Sequence, residues 1–253
     1  MLNRLKKPCY CRMQVNALLG LCLLAASAVL LLLFQSACSK KSKAPVAITS
    51  PIRIVLFPFN VPAANKDLQW TAFAAPVLMA KASEQAQDLA LVPLWETMPT
   101  AIESAGASRS FTQESAASLA NWLTAKWSIM GEISPTKTGV SLTIDFIPAK
   151  SNQVPFRYMK VGRVDSLGNN FRDAIRQFLH YLAARPLGPA KRDEQSMTSV
   201  KPLAEALDRE YGWFVDASPG KAQETVTELT RTDDRLARFL FNPSVYPVLA
   251  QGK

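Results

Sequence analysis

The sequence predicts an α+β fold, in which helices flank a mixed sheet that contains an antiparallel meander. Two features of the 253-residue chain lead to this prediction. Residues 52–59 are almost continuously apolar, which is typical of a strand buried on both faces. Residues 140–147 alternate between apolar and polar side chains, which is typical of a strand with one exposed face. A sheet that contains both kinds of strand needs helices over its apolar surface.

The other elements of the predicted sheet domain follow in chain order. A helix near 67–87 contains Pro76, which we expect to kink or restart it. Residues 94–105 are helical or irregular, and either Ser110 or Thr112 can cap the helix that follows. The remaining predicted elements are a short strand at 89–93, a helix ending near 125, strands at 127–133 and 154–164, and a helix at 169–184.

The C-terminal part is predicted to lie outside the sheet domain. Residues 186–199 contain two Pro, one Gly and few apolar side chains, which indicates a linker. Beyond it, 200–215 and 218–240 carry apolar residues at helical spacing and predict an αα-hairpin, with Ser218 capping the second helix. The tail at 241–253 contains two further Pro, so we expect it to be extended.

The positive charge of the chain is concentrated near its N-terminus. The formal net charge is +9, and residues 1–43 hold seven Lys or Arg and no Asp or Glu. The remaining residues are therefore nearly neutral. A basic protein usually has an acidic partner such as nucleic acid, but here the charge belongs to an N-terminal segment. The distribution argues against nucleic acid as a partner.

An apolar segment follows these charges. Residues 17–34 contain no charged side chain, and a helix of 18 residues covers roughly 27 Å, close to the thickness of a bilayer core. A basic flank, an apolar run and small residues after it are typical of a secretory signal. The run is also long enough for an uncleaved membrane anchor. The residues that mark this predicted membrane segment are Ala17, Leu24, Leu30 and Phe34.

The residues after the apolar run bear on how the chain is anchored. The Ser-Ala-Cys motif at 36–38 resembles the lipobox of bacterial lipoproteins, although Gln35 stands where the family usually has Leu. In that family the Cys is lipidated and becomes the new N-terminus. Lipidation at Cys38 with Ser39 after it implies the outer membrane, whereas an uncleaved anchor implies the inner membrane. Both interpretations make the lipid bilayer a partner and place 44–253 outside the cytoplasm.

A short tether joins this segment to the rest of the chain. Residues 39–50 are small and polar, as expected of a flexible connection. The predicted divisions of the chain are a signal or anchor at 1–38, the tether at 39–50, the sheet domain at 51–185, the linker at 186–199, and the C-terminal helices and tail at 200–253.

The sequence shows no group of catalytic or metal-binding residues. All four cysteines lie in residues 1–38, which excludes a disulfide framework or a cysteine metal site from the body. His180 is the only histidine, and a catalytic base or zinc ligand needs companions. We expect Asp145 to be a solvated surface carboxylate. The protein is therefore predicted to be no enzyme and to need no cofactor, and an envelope hydrolase is the least favoured alternative.

The body resembles the TolB amino-terminal-like superfamily of envelope proteins over roughly 52–184. The resemblance rests on motifs of the strands and helices: RIVLFPF at 53–59, KDLQW at 66–70, LALVP at 89–93, and the helix at 114–127 with the strands after it. The chain departs from the family at 131–133, where Gly-Glu-Ile replaces a Gly-Ser-Val pattern. FlgO-type flagellar lipoproteins and the curli secretion channel belong to this superfamily. The resemblance implies a bacterial envelope lipoprotein that acts as a non-enzymatic assembly or adaptor domain.

Aromatic residues supply the candidates for partner binding. Trp70, Trp122 and Trp127 fall where the core is expected. A second group is concentrated in the C-terminal helices, where packing in the core and binding of an envelope protein are alternative roles, because aromatic residues dominate interface hot spots. The candidate partner-binding residues are Trp213, Phe214 and Phe239. Neither the identity of the partner nor the oligomeric state follows from the sequence.

Overall fold

A computed structural model describes residues 50–106, 109–150, 152–186, 197–214 and 222–250. The predicted membrane segment, Cys38, the tether up to residue 49, most of the predicted linker and Ser218 lie outside these ranges. None of the helices within them combines the length and the apolarity that a bilayer crossing needs.

The strands of the described part form a five-stranded mixed sheet. They are β1 (Ile52–Leu56), β2 (Leu89–Leu91), β3 (Trp127–Thr136), β4 (Gly139–Pro148) and β5 (Phe156–Gly162). The spatial order is β2-β1-β3-β4-β5, in which β1 is parallel to β2 and β3, whereas β3, β4 and β5 are antiparallel neighbours. The predicted α+β class with its antiparallel meander is confirmed.

Seven helices are present in the described residues, and three short 3₁₀ turns accompany them. The helices are α1 (Thr71–Ser83), α2 (Leu94–Ala105), α3 (Gln113–Trp122), α4 (Leu167–Tyr181), α5 (Met197–Tyr211), α6 (Gln223–Thr232) and α7 (Asp234–Leu240). The helix α1 contains Pro76 within one continuous element. Of the two predicted caps for α3, the structure uses Thr112, whose hydroxyl accepts from the backbone N–H of Ser115 at 3.1 Å.

One face of the sheet carries the main core. Leu142, Ile144 and Phe146 of β4 are buried on this face, as their alternation predicts. The helix α4 packs against them, and the ring of Phe178 lies 4.1 Å from that of Phe146. On the opposite face, α2 packs against β1, and α3 packs against β3 and β4. The sheet therefore lies between two layers of helices, and α5 packs outside α1.

A glycine of β3 allows this packing at the centre of the sheet. A Cβ atom at Gly131 would lie 2.2 Å from Cε2 of Phe59, which is far inside van der Waals contact. Phe59 in turn packs edge-on against Phe171 of α4, with the ring centroids 5.6 Å apart. Position 131 is therefore glycine because an aromatic ring occupies the space that a side chain would fill.

Two expectations about single residues are wrong. Trp122 is expected in the core but is largely exposed at the end of α3, while Trp127 is buried and Trp70 is half-buried. Asp145 is a buried carboxylate that is bound by Arg157 of β5, so it is no solvated surface group. Both differences arise because the strand order and register decide which side chains receive neighbours.

The C-terminal part also differs from its prediction. The predicted second helix of the hairpin is two helices, α6 and α7, which are separated at Asp233. The carboxylate of Asp233 accepts from the backbone N–H of Leu236 at 3.0 Å and begins α7. The tail was expected to be extended, but Tyr246 is buried and its hydroxyl donates to Glu210 of α5 at 2.6 Å. The buried core runs from the sheet into these helices without interruption.

Candidate protein-interaction surface

The strand β5 forms one edge of the sheet. It pairs with β4 from Phe146↔Phe156 to Val140↔Gly162. Among the described residues, the helix α4 also packs against β5, and it covers only one face of the strand. An edge strand leaves a row of backbone N–H and C=O groups without a strand partner.

The uncovered face of β5 carries two large apolar side chains. Met159 is 65% exposed and Val161 is 63% exposed. They pair with Thr143 and Ser141 of β4, so all four side chains lie on the face of the sheet opposite to α4. We call these four side chains the β5 surface. Lys160 lies between Met159 and Val161 in the strand and is exposed, but it pairs with Leu142, so its side chain lies on the other face of the sheet.

A charge pair holds β5 against β4 at one end of this surface. The Nε and Nη2 atoms of Arg157 donate to the two carboxylate oxygens of Asp145 at 2.5 Å and 2.9 Å. The hydrogen bond and the attraction of this carboxylate raise the pKa of Arg157. Bidentate Arg–carboxylate contacts fix geometry as well as supplying energy. The pair therefore fixes the register of the edge strand.

On its covered face, β5 is fixed to α4. The hydroxyl of Tyr158 donates to Oδ2 of Asp173 at 3.1 Å, and Asp173 also accepts from Gln177 at 3.0 Å and from Arg176. Burial, together with the charge and the hydrogen bond of Asp173, raises the pKa of Tyr158 to about 12. Burial opposes ionisation of Asp173, but these hydrogen bonds outweigh it and lower its pKa. The edge strand is therefore held in place although its outer side is uncovered.

The residues that the sequence suggested for partner binding lie elsewhere. Trp213 is buried, stacks on Phe111 at 5.5 Å and lies under the Arg109 guanidinium at 5.6 Å. Phe214 and Phe239 are half-buried and line different cavities, one of about 340 Å³ at the end of β1 and one of about 230 Å³ beside β2. The structure does not bring Phe214 and Phe239 into one cavity, and their role in binding a partner stays a prediction.

Met159 and Val161 were missed because sequence alone does not show which strand lies at the edge. The sequence nevertheless contains a weak signal for this exposed apolar face. Residues 157, 159 and 161 share one face of the predicted strand, and two of them are apolar although the paired face of β4 is polar at 141, 143 and 145. Apolar residues that pair with a polar strand face indicate a surface that another molecule covers.

The residues that could hold a metal ion are spread apart in the part of the chain that the structure describes. Within it, no three His, Cys, Asp or Glu side chains are grouped closely enough to hold a metal ion. His180 lies exposed in the last turn of α4, where its neighbours in the chain are Leu179 and Tyr181.

Comparisons with known proteins return similar solved structures and nothing at the level of sequence. No protein-family model matches the chain, and no curated protein matches it. The C-terminal domain of LpoB from Salmonella enterica is 10% identical over 47% of this chain and 87% of its own, with a TM-score of 0.29. TolB from Acinetobacter baumannii is 18% identical over 55% of this chain and 30% of its own, with a TM-score of 0.34.

A third similar structure is the PelC dodecamer from Paraburkholderia phytofirmans. It is 16% identical over 56% of this chain and 93% of its own, with a TM-score of 0.28. Similarity at this level carries no argument about activity or partners.

Proposed function

We propose that the protein is a membrane-anchored protein of the bacterial envelope that binds another envelope protein through the β5 surface and catalyses no reaction. The observation that carries the proposal is the exposure of Met159 and Val161 side by side on an uncovered edge strand. Long edges with exposed apolar residues promote unwanted pairing, so proteins normally shorten, charge or cover them. A partner that covers this edge in the assembled state accounts for its exposure here.

The chemistry of the β5 surface defines the kind of partner. The free backbone groups of β5 suit an extended segment that adds a sixth strand to the sheet. Met159 and Val161 suit apolar side chains at alternate positions of that segment. Lys160 lies on the other face of β5 and forms no ion pair with any residue of the described part, so it suits an acidic residue between the apolar positions of that segment. The partner is therefore an extended segment with alternating apolar residues and at least one carboxylate.

The anchor is the second part of the proposal and depends on the residue pattern before Ser50. We place the chain in the outer membrane through lipidation at Cys38, with 39–50 as the tether to the sheet domain. An uncleaved inner-membrane anchor is the alternative. Metabolic labelling with a palmitate analogue separates them: lipidation predicts a label that disappears in Cys38→Ala, whereas an unlabelled protein with an intact residue 1 shows the uncleaved anchor.

Site-specific photocrosslinking in cells tests the β5 surface. A photoreactive amino acid at Lys160 is expected to give an adduct with an envelope protein. Exchange of Met159 and Val161 for Ser in the same chain removes most of the apolar contact and should lower the adduct yield about tenfold or more. The matched control carries the photoreactive residue at Glu114, which is exposed on the helix α3.

Three results would contradict the proposal. Equal adduct yields at positions 160 and 114 would show that proximity in the envelope is not specific to β5. A yield that does not change with Ser at 159 and 161 would remove the apolar contacts from the interface. An adduct whose mass is that of two copies of this chain would identify the surface as a site of self-association.

A further inference from the structure

One end of the sheet, where the chain enters the domain, collects residues from four elements; we call it the basal end. The backbone N–H of Ile52 donates to the carbonyl of Asp88 at 2.7 Å, and that of Lys126 donates to the carbonyl of Arg53 at 2.9 Å. The N–H of Ala149 donates to the carbonyl of Lys126 at 3.0 Å. The starts of β1, β2 and β3 therefore lie beside the end of β4.

Three large apolar or aromatic side chains are exposed at this end. Trp122 is 66% exposed at the last residue of α3, four positions before Lys126. Val154 is 71% exposed just before β5, and its carbonyl accepts from the hydroxyl of Tyr181 at 2.9 Å. Tyr181 is itself 45% exposed, and its ring lies 6.2 Å from that of Trp127 at the start of β3. Half of the six large exposed apolar residues in the described part thus lie at the basal end.

The charges of the basal end are mainly positive. Two of its arginines are compensated: Arg185 binds the buried Asp88 with Nη2 at 2.6 Å from Oδ1, and Arg53 lies 3.8 Å from Glu96. Lys126 and Lys150 are exposed, and neither forms an ion pair with a described residue. Hydrogen bonding places the two lysines next to each other, because the residue before Lys150 donates to the carbonyl of Lys126. The basal end therefore presents two uncompensated ammonium groups beside exposed aromatic rings.

Exposed aromatic rings beside unpaired lysines are typical of surfaces that face a membrane. Trp and Tyr are enriched at the level of the lipid headgroups, because each ring has an apolar body and a polar group. Lysines beside them are attracted to anionic lipids. A binding surface for a folded protein would be richer in packed apolar area and poorer in Lys.

We infer that the basal end lies against the surface of an anionic bilayer, with Trp122 and Tyr181 among the headgroups and Lys126 and Lys150 at the lipid phosphates. The sequence supports a bilayer as the occupant, because the tether at 39–50 joins the proposed lipid anchor at Cys38 directly to the sheet domain. Twelve residues of tether span at most about 40 Å. The same tether contains Lys40, Lys41 and Lys43, which favour the same lipids. The inference uses the anchor of the proposed function but none of the β5 surface.

Lysine footprinting of the full-length protein in vesicles tests this contact. The protein is reconstituted in vesicles of phosphatidylcholine alone or with about a third of phosphatidylglycerol, and exposed lysines are acetylated with a water-soluble reagent. Lys126 and Lys150 should react about fivefold more slowly in the anionic vesicles, which corresponds to the attraction of one cation to such a surface. Lys137 is the internal control, because it is exposed in the turn between β3 and β4 at the opposite end.

Two further measurements make the result specific. High salt should abolish the difference between the two kinds of vesicle in the acetylation rates of Lys126 and Lys150, since exposed charges are screened within about 10 Å at 0.1 M. Exchange of Trp122 for Ser should reduce the protection of both lysines and leave the crosslink from position 160 unchanged, so that failure here is separable from failure at the β5 surface. Equal reactivity in the two kinds of vesicle would overturn the inference. Equal protection of Lys137 would overturn it as well, because protection would then not depend on orientation.

Discussion

The two edges of the sheet are built in opposite ways. The strand β2 has three residues, all half-buried, and lies beside α7. The strand β5 has seven residues and two large exposed apolar side chains. The same sheet therefore has one short, covered edge and one long, uncovered edge. Among the described residues, the C-terminal helix α7 lies beside β2, whereas α4 packs against only one face of β5.

The contacts that hold the two edges also differ. At β2, Leu89 of the strand and Leu236 of α7 line the same small cavity, and the indole N–H of Trp95 donates to the carbonyl of Arg238 at 3.0 Å. At β5, the fixing contacts are Arg157 with Asp145 and Tyr158 with Asp173, which lie on the two sides of the strand. The β2 edge thus has a C-terminal helix beside it, whereas the open edge is fixed by polar contacts to its own neighbours.

The largest expected effect is a difference in stability between the two edges when one apolar side chain is truncated at each. Leu236→Ala removes a fully buried side chain between α7 and β2 and should lower the free energy of unfolding by about 2–5 kcal/mol. Met159→Ala removes an exposed side chain and should change the free energy of unfolding by no more than about 0.5 kcal/mol. Urea unfolding followed by tryptophan fluorescence measures both.

The control for this comparison lies within the pair, because both changes leave an alanine in place of a flexible apolar residue. If Met159→Ala lowered the free energy of unfolding as much as Leu236→Ala does, β5 would be covered in the folded protein. The interpretation of β5 as an open edge would then be abandoned.

A smaller effect is expected at the ion pair beside β2. Arg185 binds Asp88 through its backbone N–H at 2.8 Å and through its guanidinium, which joins the end of α4 to the start of β2. Asp88→Asn keeps the shape of the side chain and removes its charge, and it should cost about 1–3 kcal/mol of stability at neutral pH. Thermal or urea unfolding of the two proteins gives the difference.

The pH dependence of this difference identifies its cause. Hydrogen bonds from Arg185 lower the pKa of Asp88, so the folded state binds the proton more weakly than the unfolded state. The stabilisation is complete above the usual Asp pKa of about 3.9 and is lost as the pH falls through the lowered pKa. The difference in stability between the wild-type protein and the Asp88→Asn variant should therefore be constant from about pH 7 to 5 and shrink below about pH 4. A difference that is unchanged at about pH 3 would assign the effect to packing.

The elements of the sheet could be predicted because their patterns are local. The predicted strands at 127–133 and 140–147 match β3 and β4 within three residues, since a buried run and a strict alternation each indicate their own structure. The prediction was wrong where one turn residue decides the outcome: Asp233 divides the last predicted helix, because its side chain caps α7. Helix boundaries of this kind depend on side-chain contacts that periodicity does not contain.

The candidate surfaces could not be predicted because they depend on contacts between distant parts of the chain. Asp145 is buried since β5 supplies Arg157 opposite to it, and nothing in the pattern of β4 shows that register. Trp122 looks like a core residue by composition, but α3 ends at that position and turns it outward at the basal end. Burial of a single aromatic residue is decided by packing between elements and not by its type.

The smallest expected effect tests the attachment of the open edge to α4. Tyr158→Phe removes the hydroxyl that donates to Asp173 and should cost about 0.5–1.5 kcal/mol, since Asp173 keeps its bonds from Arg176 and Gln177. The raised pKa of Tyr158, about 12, adds a signature in alkali. An unfolded Tyr loses its proton near pH 10, so the wild-type protein should lose stability as the pH rises from about 10 to 12 and Tyr158→Phe should lose less. Parallel losses in the two proteins would mean that Tyr158 titrates normally and that β5 is loosely attached to α4. An open edge on a loosely attached strand could not present Met159 and Val161 in a fixed geometry, so this small difference decides whether the β5 surface is preformed.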